Sequence, residues 1–168
     1  MSTLKFNKWQ SIDGVTRNAV LQVVSKEVTT QTSTTSTSFV DATDMFLAIT
    51  PTSATSKILV MFNVKNYGVR ASSAHLWALQ ILRDSTIVYY PGTNNGNGNL
   101  DAAYSFSGVT NIGYISRTDL LSFVDSPSTT NEITYKLQFC NYVSTNSSTV
   151  SINQSTRTST ITLMEIAQ

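Results

Sequence analysis

Apolar residues recur along most of this chain at every second position, the spacing of a pleated strand with two distinct faces. Residues 56–64 depart from that rule in an informative way. Ile58, Val60, Phe62 and Val64 fall on one side of the stretch, and Leu59 and Met61 on the other. A sheet that faces water on one side alternates apolar with polar. This strand is therefore expected where both faces are covered, one by the domain's own core and the other by a covering segment or a neighbouring subunit. Residues 75–83 repeat the pattern, with Leu76, Ala78 and Leu82 on one face and Trp77, Leu79 and Ile81 on the other. Leu59, Met61, Trp77, Leu79 and Ile81 are accordingly the candidate subunit-interface residues.

The remaining elements follow from the same periodicity. A first strand is predicted over 20–28. Residues 29–38, almost all Thr and Ser, read as an extended edge, in preference to a domain boundary. A strand over 46–50 is broken by Pro51 and the polar residues after it. Asp84-Ser85 turns the strand at 75–83 into a hairpin partner at 86–90. Residues 91–100, rich in Asn and Gly, form a long loop of tight turns. A strand over 112–124, bulged at Gly113, comes next. Ile133, Tyr135, Leu137 and Phe139 then give the cleanest alternation in the chain. Short strands at 150–152 and 160–166 close it. About eight strands separated by polar turns predict an all-β, jelly-roll-like antiparallel β-sandwich over 19–168. Residues 1–18 are expected to form a short extended leader, with Leu4, Phe6 and Trp9 as candidates for docking onto another protein.

Composition sharpens this picture. Ser and Thr make up more than a quarter of the 168 residues and charged residues only 12%. Threonine suits half-exposed strands, and Lys/Glu/Ala-rich helical stretches are missing. The net charge is +1 with no basic run longer than two residues, so no nucleic-acid surface is expected. No apolar run is long enough to predict membrane insertion. The first residues carry no apolar signal region, and a single cysteine, Cys140, rules out an intrachain disulfide framework. These features predict a part built inside a cell for use outside it.

The residue types of familiar active sites are sparse. His75 is the single histidine and stands at the start of a strand; Cys140 lies mid-strand, where a small hydrophobe serves equally. Neither supports a zinc site, and no metal or cofactor is expected. Asp41 and Asp44 lack the spacing of a calcium loop and read as solvated turn residues. Asn146 and Asn153 head glycosylation-like triplets that carry no meaning without secretion. The chain is read as a non-enzyme. Tyr89, Tyr90, Asn94, Asn95, Asn97 and Tyr104, in or beside the Asn-Gly loop, are the candidate exposed binding loop, because a tyrosine offers a flat apolar ring with a polar tip.

Three stretches carry a family resemblance. They are Leu4-Lys5-Phe6-Asn7-Lys8-Trp9-Gln10-Ser11-Ile12-Asp13-Gly14, the run from Ser38-Phe39-Val40-Asp41 to Ser56-Lys57-Ile58-Leu59-Val60, and Ser159-Thr160-Ile161-Thr162-Leu163-Met164-Glu165-Ile166. Arg83-Asp84-Ser85-Thr86 fits as well. In these the chain resembles the short tail-fibre-like or virion-surface proteins of cyanophages and other marine phages. The resemblance implies a virion component, assembled in the host cytoplasm as a homotrimer. Its sandwich would be similar to tumour-necrosis-factor or complement C1q heads. On that reading the leader docks to other virion proteins and the loops face a host surface glycan or protein. A capsid decoration, cement or head-fibre protein is the alternative. A glycan-degrading tailspike-like enzyme is a further one, disfavoured because its paired carboxylates are not evident.

Overall fold

Among the described residues eleven strands, all antiparallel to their partners, build two sheets. The computed structural model describes residues 19–70, 75–90, 103–104, 113–141 and 148–168. The strands are β1 (Val20–Val28), β2 (Thr32–Thr34), β3 (Val40–Ile49), β4 (Lys57–Arg70), β5 (His75–Arg83), β6 (Thr86–Tyr89), β7 (Ala103–Tyr104), β8 (Gly113–Asp125), β9 (Ile133–Asn141), β10 (Thr149–Ile152) and β11 (Ser159–Ile166). The larger sheet runs β1-β11-β4-β10-β2, with β8 on β4; the smaller runs β3-β9-β5-β6, with β7 on β5. The two sheets pack face to face as a β-sandwich.

The pairing explains the winding. β1 pairs with β11, β3 with β9, β4 with β8 and β5 with β6. These pairs are nested in the sequence and alternate between the sheets, as in a long hairpin rolled on itself, which is the jelly roll. The last strand thus lies inside the larger sheet, between the first strand and β4.

Alternation decides which side chains meet between the sheets. Ile58, Val60, Phe62 and Val64 of β4 face Tyr135, Leu137 and Phe139 of β9 and Trp77, Leu79 and Ile81 of β5 in one core, every one at 0–1% exposure. Removing such a side chain from water is worth roughly 1.5–3 kcal/mol. Several boundaries differ from the expected ones. β3 starts at Val40 rather than 46, because a bulge between Asp41 and Phe46, with Asp44 at φ 61°, restarts the alternation. Both Ala42 and Met45 can then point inward. β8 has no bulge at Gly113: its register with β4 is continuous from Gly113 opposite Arg70 to Asp125 opposite Ile58. The Ser/Thr-rich segment does contribute an edge strand, β2, laid on β10.

The candidate interface set needs a correction. Trp77, Leu79 and Ile81 are sealed inside the single chain and have no surface left to offer a partner. Sequence parity separates the two faces of β5 but does not say which faces the core. Leu59 and Met61 point to the opposite side of β4, outward from the sandwich, and remain half-buried.

Candidate functional site

The outer face of the larger sheet is where this molecule departs from an ordinary solvated surface. Register places Val23, Met164, Leu59 and Val124 side by side across β1, β11, β4 and β8. Four strands at the usual spacing make that row about 14 Å wide. Val20 and Ile166 pair at one end of it. Towards the other end Met61 lies between Thr162 and Ser122, and Leu120 stands opposite Asn63. Val20, Val23, Leu120 and Val124 are 53–68% exposed. Outward strand positions more often carry polar groups, and a contiguous apolar patch of this kind marks a contact surface.

Further along the same face the chemistry changes. Lys65 donates to Thr118 Oγ1 at 2.8 Å. Tyr67 stacks on Tyr114, with ring centroids 6.0 Å apart, and the Arg157 guanidinium sits 5.3 Å from the Tyr67 centroid.

The buried polar groups serve the fold. Glu165 is fully buried; it accepts hydrogen bonds from Gln22 Nε2 at 2.7 Å and from the N–H and hydroxyl of Thr52, each at 2.8 Å. Burial pushes its carboxyl up, but the Ser56 hydroxyl beside it and the donors from Gln22 and Thr52 outweigh that and hold it below the ordinary Glu range. Asp119 goes the other way. Burial raises its carboxyl above the usual value, and Arg117, Asn66 and Trp77 offset this only in part. Asn66 Nδ2 donates to Asp119 Oδ2 at 2.6 Å, and an Arg117 terminal nitrogen lies 3.2 Å from Oδ1. Asp125 joins the sheets by accepting from Arg83 at 2.6 Å and from the Tyr135 hydroxyl at 2.7 Å. Burial first, and then the neighbouring Asp125, push that phenol up.

The sequence candidates distribute as follows. Leu4, Phe6, Trp9, Asn94, Asn95 and Asn97 lie outside the described residues. Tyr104 and His75 are described through their backbones, which pair β7 with β5. Tyr89 is half-buried at the rim of the core and stacks on Phe123 at 5.3 Å, whereas Tyr90 is 45% exposed and meets Phe39 edge-on. Cys140 is buried, and desolvation raises its thiol; the Ala78 backbone offsets this only in part. Asp41 is engaged by Lys136 and Gln138, and Asp44 accepts from Thr30. Among the described residues no three His, Cys, Asp or Glu side chains come together as a metal site. Asn153 is fully buried; its amide donates to the Thr30 carbonyl and its oxygen accepts from Ser159, so it offers no glycosylation site.

Sequence reasoning missed the tyrosine–arginine stack and most of the apolar row. Val23, Val124 and Met164 each stand next to an apolar residue of the opposite face (Val24, Phe123 and Leu163), so hydrophobicity does not single them out, and register alone brings them beside Leu59. Compared with known proteins, the chain matches no family model and no curated protein.

Proposed function

We propose that this protein is a bacteriophage virion structural protein. It assembles as a homotrimer, docks to other virion proteins through its N-terminal residues and presents its far surface to the host. One observation carries the assembly: the apolar row Val23-Met164-Leu59-Val124 on the outer face of the larger sheet. Leu59 and Met61, two of the residues expected at a subunit interface, belong to this patch. Copies packed around an axis would remove it from water, whereas a lone jelly roll leaves it wet. The virion role rests on the sequence resemblance, and the sandwich fold is compatible with it.

Sedimentation mass tests the assembly. The expected result at micromolar concentration is three times the 18.4 kDa chain mass. A stable monomer at that concentration overturns the trimer. Labelling the protein in intact particles tests the location: a tail position supports the host-contact role, and a head position transfers the protein to capsid decoration.

A further inference from the structure

The same outer face has a second, chemically different half. Eight residues along β4 separate Leu59 from Tyr67, about 26 Å at the usual strand rise. There Tyr67 and Tyr114, diagonal neighbours on β4 and β8, stack with ring planes 24° apart. Tyr114 is 65% exposed, more than any other described large apolar side chain except Leu120. Arg157 covers the Tyr67 ring from the turn before β11. One of its terminal nitrogens, Nη1, is buried and has no hydrogen-bond partner.

The backbone that holds Arg157 is strained. Asn153, Ser155 and Thr156 all adopt positive φ, between 58° and 62°. A β-branched residue such as Thr156 is rarely found there. Asn153 anchors the turn by donating its N–H to the Lys65 carbonyl and its side-chain amide to Thr30. Strain of this kind collects where a side chain must be held in one place. Lys65 adds a second positive charge one residue pair away, and Ser116 and Thr118 supply hydroxyls from β8. Among the described residues, the nearest carboxylate in register on this face is Glu27, on the row of Asn63.

We propose that Tyr67, Tyr114 and Arg157 form a binding site for an acidic saccharide. A pyranose ring stacks on the exposed face of Tyr114, and a carboxylate of the same chain is drawn to Arg157 and Lys65. A tyrosine ring matches the apolar face of a sugar, and a guanidinium fork matches a carboxylate. This goes beyond the assembly reading, since one copy of the chain holds the whole site.

The test uses the full chain and isothermal titration with a short oligogalacturonate, a neutral oligosaccharide of equal length and a poly-glutamate peptide. Saturable binding of the oligogalacturonate, with weak or no binding of the other two, is expected. Arg157→Gln should weaken it at least about tenfold, the scale of a lost charge-assisted hydrogen bond. Tyr114→Ser, a surface change that does not threaten the fold, should weaken it several-fold. Absence of saturable binding overturns the proposal, as does equal affinity in both variants. Equal binding of the neutral sugar overturns the acidic class, and equal binding of poly-glutamate reduces the site to unspecific charge or a protein contact. Sedimentation mass measured on the same samples separates this from assembly: a monomer that binds the oligogalacturonate leaves this site standing and removes the trimer.

Discussion

Thr52 donates both its backbone N–H and its hydroxyl to Oε1 of Glu165, each at 2.8 Å, and so ties the turn before β4 to the last strand of the sheet. Gln22 from β1 holds the second oxygen. One buried carboxylate thus joins three separate parts of the chain.

Glu165→Gln should cost about 2 kcal/mol at pH 7, the scale of a hydrogen-bond set to a charged acceptor. The folded carboxyl sits below its unfolded value of 4.5. Its stabilisation is therefore complete above that value and is lost as pH falls through the folded pKa. Urea unfolding from pH 7 down to pH 3 should show parent and variant converging at the acid end. A constant gap across that range would contradict this role.

Asp119 has the opposite sign. Its folded pKa lies above the unfolded 3.8, so protonation favours the fold, and that advantage is lost as pH rises through the folded value. Asp119→Asn should stay within about 1 kcal/mol of the parent at pH 7 and lack the parent's decline just above pH 3.8. Asp119→Ala should cost more, about 2 kcal/mol, because it leaves the fully buried Asn66 amide with only the long 3.4 Å bond to the Val64 carbonyl. Urea midpoints of the three proteins at pH 4 and pH 7 check both statements.

The apolar row offers a clean test because its ends are exposed in the single chain. Val23→Lys combined with Val124→Lys should change the stability of one subunit by less than about 1 kcal/mol, as surface substitutions usually do. It should nevertheless lower the sedimentation mass to that of a monomer. Retention of the parent mass would remove this face from the assembly.

Trp77→Ala should behave in the reverse manner. Its side chain is 0% exposed within one chain, and its loss should cost about 3–5 kcal/mol. Thermal unfolding should show the loss as a fall in midpoint. A variant with unchanged midpoint and reduced mass would return Trp77 to the interface and overturn its placement in the core.

Much of this architecture was legible in the residues. The alternation of Ile133, Tyr135, Leu137 and Phe139 predicted both the strand and its buried face, since a period of two has a single geometric meaning. The hairpin at Asp84-Ser85 followed from turn chemistry between two apolar runs. The bulge in β3 was not legible, because Ala42 and Met45 break the alternation without a glycine to mark the place. Three of the five interface candidates, Trp77, Leu79 and Ile81, were misplaced for a related reason. In β4 and β5 both faces are apolar, and hydrophobicity cannot choose between two apolar faces.

The sequence by itself determined that the chain is all-β, where most strands begin and end, and which residues share a face. Those are local matters, set by side-chain period and turn residues within a few positions. Tertiary structure decided which face looks inward, and it brought Val23, Met164, Leu59 and Val124 into one row and Arg157 onto Tyr67. Such neighbours are made by register between distant strands, as between Gln22 and Glu165, 143 positions apart. Register is fixed by the packing of all the strands together, so no local stretch of the chain contains it.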